Sequence, residues 1–260
     1  MIEAIAPFLQ CPRCKGRKLE CSTTGVFCSD CKSLYPNRDG IIDWLGVDSK
    51  EVITPFQRVM QTPPVVAIYE GIWRRLGYYI ASSRSFESEL ATVLQLQPKA
   101  PISRTLDLAC GTGVFTRPLA RRSQGVVIGF DLSWPMLRRA RLLAAREGRN
   151  NIVWMRGTAF QLPFSSGSFQ HVNCCGALHL FDQPDRALVE IHRLLAAGGS
   201  FSVQTTIRPE RSAGMAYLLE RFIRFGFFNE NELKESVASS GFQISESERH
   251  RISYTFLARK

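Results

Sequence analysis

Thr105-Leu106-Asp107-Leu108-Ala109-Cys110-Gly111-Thr112-Gly113-Val114-Phe115-Thr116 reads as an apolar strand that runs into a glycine turn and opens a helix. Glycines at 111 and 113 let backbone approach a bound molecule closely, and the first amides of the following helix are free to donate to it. The stretch is therefore a ligand site. A dinucleotide fingerprint wants a third glycine where Thr116 stands, which weighs against a pyrophosphate ligand.

Asp107 weighs against it too, because a carboxylate just before the turn repels a pyrophosphate and attracts an ammonium group. A second apolar strand, Val126 to Asp131, ends in an acid placed to accept hydrogen bonds from both hydroxyls of a ribose. Together the two acids ask for adenosine joined to an amino acid, which is S-adenosylmethionine (SAM).

Four segments in order, LDLACGTG (106–113), GFDLSWPMLRRAR (129–141), LPFSSGSF (162–169) and ALHLFDQPDRALVEIHRLLAAGGSF (177–201), make the chain resemble class I SAM-dependent methyltransferases from about residue 100 to the C-terminus. The resemblance is strongest to the small-molecule branch typified by ubiquinone and menaquinone biosynthesis. It implies an α/β, Rossmann-like fold with a mostly parallel seven-stranded sheet over residues 99–260. The alternation of segments agrees: strands at 104–109, 126–131, 152–156, 169–175 and 200–206 are interleaved with helices at 114–122, 134–147 and 185–195. Ser133 is placed to cap the second helix, and Gly198-Gly199 to end the third. Helices at 212–225 and 229–240 and a closing hairpin, 242–249 and 252–258, complete the expectation.

Ligands on such sheets lie beyond the carboxyl ends of the strands. The cofactor-binding candidates are Asp107, Cys110, Gly111 and Gly113 for the methionine part, Asp131 for the ribose, Leu132 against the adenine, and Thr158, Ala159 and Cys174 at the next strand ends. The resemblance also exposes two departures. The family usually has an aspartate where this chain has Thr158, so a neutral hydrogen bond to the adenine replaces a charge-assisted one, and another where it has Gln170. Methyl transfer needs no dedicated nucleophile. Where the acceptor is a phenol, enol or amine a base helps, and His179, just beyond the fourth strand, is the candidate. His171 and His192 read as structural.

Cys11-x-x-Cys14 and Cys28-x-x-Cys31 form a pair of metal knuckles separated by a span that suits a short hairpin. Four thiolates satisfy zinc completely and leave no open position for chemistry, so the expected ion is a structural Zn2+; two disulfides are the alternative. Residues 1–45 read as a zinc ribbon too small to fold without its metal. Cys21, Cys110, Cys174 and Cys175 lack metal spacing and read as small buried residues. Residues 46–98 are a linker, broken by Pro55, Pro63 and Pro64, followed by helices near 65–73 and 86–96 that the resemblance makes a lid over the acceptor, with Tyr69, Trp73, Tyr78 and Tyr79 as lining or packing residues.

The 260 residues are 45% hydrophobic, suited to one ordinary domain plus a small one. No apolar run approaches the roughly twenty residues that cross a bilayer, and MIEAIAPFLQCPRC lacks a secretory pattern. The expected location is cytoplasmic. A formal charge of +10 favours an anionic partner or surface. Arg138, Arg139, Arg141, Arg146 and Arg149 form either a solvated helix face or a nucleic-acid patch, and Arg74-Arg75 beside Trp73 is equally ambiguous. The expected partner is a small-molecule methyl acceptor. An RNA enzyme acting on a guanine of large-subunit ribosomal RNA is the runner-up, and a SAM-binding protein that keeps the methyl group intact is a third reading supported only by Thr158.

Overall fold

The computed structural model describes residues 2–45, 55–98, 102–209 and 226–260. The helix expected at 212–225 lies outside them. Its frame is a single sheet of eleven strands. Seven belong to the expected domain: β5 (Arg104–Leu108), β6 (Val126–Asp131), β7 (Ile152–Arg156), β8 (Phe169–Cys175), β9 (Leu195–Thr206), β10 (Gln243–His250) and β11 (Ser253–Arg259). They run in the order β7-β6-β5-β8-β9-β11-β10. The first five pair in parallel, and β11 enters antiparallel to both neighbours. The parallel strands are buried on both faces because helices cover both sides, as a parallel sheet requires.

The remaining four strands come from the N-terminal cysteine module. β1 (Leu19–Ser22) and β2 (Gly25–Cys28) form the hairpin between the two knuckles, and β3 (Leu34–Arg38) and β4 (Ile41–Asp43) form a second hairpin. β4 then pairs in parallel with β7, Ile42 opposite Met155 and Asp43 opposite Arg156. The module thereby covers the sheet edge that would otherwise present unpaired backbone groups. Its apolar side chains join the main core: Ile5, Leu9, Val26 and Tyr35 lie in one cluster with Leu106, Phe130, Phe164 and Phe169.

Helices α6 (Thr116–Arg122), α7 (Trp134–Arg146), α8 (Pro184–Leu194) and α9 (Glu230–Ser239) pack on the sheet. Ser133 caps α7, its hydroxyl accepting from the Met136 amide at 3.4 Å. α8 stops at Leu194, and Gly198-Gly199 lies within β9 rather than ending the helix, because Leu195 is already extended and paired with Phe169. Pro63 and Pro64 do not break a helix either. They open one, where a missing amide costs nothing: α3 (Pro63–Ile68), a π-helical turn (Tyr69–Trp73) and α4 (Arg74–Ser82) follow one another directly. α2 (Pro55–Met60) precedes them and α5 (Phe86–Gln95) follows, capped by Ser85.

Candidate active site

A pocket opens beyond the carboxyl ends of β5, β6, β7 and β8, where an open parallel sheet places its ligands. The glycine turn supplies one side of it. Ala109 and Gly111 both have left-handed backbone, φ +54° and +56°, and both line the pocket. At Gly111 the nearest neighbour of an added Cβ is a Tyr69 ring carbon at 4.0 Å, so the space there is left to a ligand. Gly113 does a different job. A Cβ on it would come within 2.9 Å of the Trp154 ring and 3.2 Å of Ala140, so it serves packing under α7 and does not line the pocket.

Asp131 ends β6 in the pocket. Its two oxygens accept from the amides of Gly111 and Ser133, each at 2.7 Å, and burial raises its pKa from the ordinary value. Leu132, Thr158 and Ala159 line the same side, together with Phe130, Ser133, Met136 and Gly157. The Thr158 hydroxyl accepts from the Phe160 amide at 3.2 Å. Arg156 holds the Leu132 carbonyl at 2.9 Å, and its guanidinium reaches both oxygens of buried Asp43 on β4, at 3.3 and 3.2 Å. A side chain of the cysteine module thus steadies the Leu132 side of the pocket.

Asp107, Cys110, Cys174 and His179 stand elsewhere than in the pocket lining. The Asp107 carboxylate lies beneath the turn, accepting from Thr116 Oγ1 at 2.5 Å and Asn173 Nδ2 at 2.6 Å. Sheet register is the reason: Asp107 faces Asn173 across β5 and β8, and Asn173 faces Ser202 across β8 and β9. The Ser202 hydroxyl donates to Asn173 Oδ1 at 2.9 Å and lies 3.1 Å from the His171 ring, so a buried polar network runs across three strands. Burial raises Asp107 to about 6. Cys110 and Cys174 are buried thiols, both raised by burial. His179 sits on a short 3₁₀ turn with Nδ1 3.2 Å from Thr205 Oγ1. Burial, and then the charge of Arg74, lower it to about 3. It is therefore neutral across the physiological range and a weak base. Gln170, at the second departure from the family pattern, accepts from the Ser103 amide and hydroxyl at 2.8 and 2.9 Å, pinning the start of β5 away from the pocket.

The segment expected as a lid reaches the pocket through two adjacent residues of its π turn. Tyr69 lines the pocket, as do Met60 and Gln61 ahead of it. Glu70 accepts from Thr112 Oγ1 at 2.6 Å and from Arg117 Nη2 at 2.7 Å, fastening the lid to the glycine turn and to α6. Tyr78 is buried as a packing residue, while Trp73 and Tyr79 point outward. Half-buried Arg74 pairs with buried Glu89 at 2.7 Å, and Arg75 pairs with exposed Glu87. The opposite side of the pocket is completed by Gly176, Ala177, Leu180, Phe181 and the exposed carboxylate of Asp182. Glu70, Arg74 and Asp43 carry no sequence motif, and only their spatial partners reveal them.

The four knuckle sulfurs, Cys11, Cys14, Cys28 and Cys31, lie within 4.8 Å of one another, with Cys11–Cys31 and Cys14–Cys28 at 3.6 Å. A tetrahedral ion with zinc–sulfur bonds of about 2.3 Å separates its ligands by roughly 3.8 Å, so the donor set fits zinc. None of the eight cysteines is in a disulfide.

Residues 105–199 match the family described as a methyltransferase domain. The chain thus carries a methyltransferase domain at residues 105–199. An uncharacterised chloroplastic methyltransferase of Arabidopsis thaliana is 26% identical to it over 249 residues, 91% of this chain and 70% of that protein. The 2-phytyl-1,4-naphtoquinone methyltransferase of Thermosynechococcus vestitus is 39% identical over 114 residues, which span 42% of this chain and about half, 48%, of that protein. The fold of the methyltransferase domain is also that of a SAM-dependent methyltransferase from Aquifex aeolicus, with a TM-score of 0.60, 15% identity and coverage of 76% of this chain and 98% of that one.

Proposed function

We propose that the protein transfers the methyl group of SAM to a small organic acceptor of the quinol type. The observation that carries this reading is the pocket itself: an acid and a bare glycine backbone on the cofactor side, and an apolar, aromatic acceptor side made by Met60, Tyr69, Phe160, Leu180 and Phe181. The Gly111 backbone, Asp131, Leu132, Thr158 and Ala159 would hold SAM, which supplies an electrophilic methyl carbon on a sulfonium. The chain's contribution is to orient the acceptor and keep water out. Relatives whose names record methylation of naphthoquinones support the acceptor class.

His179 then acts as a positioning residue for the turn that carries Leu180. Of the acids lining the pocket, Asp182 is the exposed one and the better placed to take up a proton from the acceptor. The knuckle tetrad holds a structural zinc ion, and eight free cysteines suit a reducing compartment such as the cytoplasm. Two arginines of α7 face the cysteine module, which does not favour RNA there: Arg138 pairs with Asp39 at 3.1 Å, and Arg141 lies against Gly40.

Methyl-labelled SAM supplied with either a reduced naphthoquinone or ribosomal RNA tests the reading. Label is expected in the quinol pool. Label in RNA alone, or in neither, overturns it.

A further inference from the structure

The lid helix is amphipathic the wrong way round for a protein surface. Along Pro63–Ser82 the inward positions step by four residues through Val66, Glu70, Arg74, Tyr78 and Ser82, four of the five polar. The opposite face steps through Pro64, Ile68, Ile72, Leu76 and Ile80, all exposed. Ile72, Leu76, Tyr79 and Ile80 each keep 56–60% of their surface open, and Ile68 43%. Single exposed leucines are ordinary, but a continuous row of large aliphatic side chains along one face is not. A water-facing helix normally turns such a stripe towards the core. Here the core side is taken by Glu70, bound to Thr112 and Arg117, and by Arg74, bound to Glu89. Rolling the helix over would strip buried Glu89 of Arg74 and buried Arg117 of Glu70.

We propose that this outer face is a docking surface for an anionic lipid bilayer, on which the helix lies in the plane of the interface. Charge selects the occupant. The chain carries +10 overall, with exposed Arg58 at one end of the stripe, Arg75, ion-paired with Glu87, in the middle, and exposed Arg251 beside Ser83 at the other end. A basic border around an apolar stripe matches anionic headgroups over acyl chains. A second copy of this chain offers the same positive border and is repelled. No helix among the described residues is long and apolar enough to cross a membrane, so the contact is peripheral. Met60, Gln61 and Tyr69, in and just ahead of this helix, line the pocket, which puts its acceptor side close to the lipid surface. Docking goes beyond the methyl-transfer reading and does not depend on it, although an acceptor with a hydrocarbon tail would be taken up from the lipid.

The test is co-sedimentation of the full-length, metal-replete protein with phosphatidylglycerol–phosphatidylcholine vesicles, read beside calorimetric binding of S-adenosylhomocysteine. The wild type is expected to partition onto the vesicles, more weakly as salt rises or as phosphatidylglycerol is removed. Ile72→Glu with Leu76→Glu should reduce partitioning at least tenfold and leave nucleoside binding unchanged; Ile72→Ser with Leu76→Ser, which adds no charge, should reduce it less. Absence of vesicle binding by the wild type overturns the proposal. So does binding undiminished in both double variants, or a wild-type dimer in sedimentation that those substitutions dissolve. Methyl transfer is not part of this readout, so the two proposals fail separately.

Discussion

Asp107 shows how a residue can have a predictable type and an unexpected task. The strand-and-turn pattern locates the acid, but its side of the strand is settled by the Asn173 amide opposite it and the Thr116 hydroxyl above it. Burial raises its pKa from the ordinary 3.8 to about 6. A group held above its unfolded value binds its proton more tightly in the fold, so its stabilising contribution is complete below pH 3.8 and is lost as pH rises through 6. Asp107→Asn removes that titration. The difference in unfolding free energy between wild type and variant, measured in urea, should move against the wild type by on the order of 2 kcal/mol from pH 4 to pH 7. A difference that stays constant with pH would contradict this. Ser133 was more legible because it acts on a neighbour in its own strand-to-helix turn, the Met136 amide.

The lid is decisive at the scale of elements. Helices before the first strand were readable from the sequence, but their length was not, since Pro63 and Pro64 read as breakers and instead open α3. What locks the lid is Glu70, whose carboxylate joins the Thr112 hydroxyl and the Arg117 guanidinium. Glu70→Ala leaves the Thr112 hydroxyl without the Glu70 carboxylate and Arg117, among the described residues, with Glu147 as its remaining acidic partner at 2.7 Å. Losing charge-assisted bonds of this kind costs about 1.5–3 kcal/mol. Amide exchange across 63–82 should accelerate, and S-adenosylhomocysteine should bind roughly tenfold more weakly by calorimetry, which corresponds to about 1.4 kcal/mol. Exchange unchanged in the variant would mean that the lid is held by apolar packing alone.

Across the whole molecule, the cysteine module behaves as an extension of the sheet. Its β4 lies on β7, and Asp43 reaches the Leu132 carbonyl through Arg156. Removing the metal with a chelator should therefore lower the melting temperature of one cooperative transition and weaken S-adenosylhomocysteine binding together. Calorimetry that resolves two transitions, with the second unmoved by chelation, would show the two parts to be independent.

By itself the amino-acid sequence determined the alternation of strands and helices, the glycine turn with its two acids, and the sulfur tetrad, because each is written in spacings of a few residues. Tertiary structure alone decided that Asp107 faces Asn173, that Asp43 meets Arg156, and that the lid turns its polar face inward. Those outcomes depend on partners 66 and 113 residues apart, or on charges supplied by other elements, and no local pattern encodes which of them the chain will bring together.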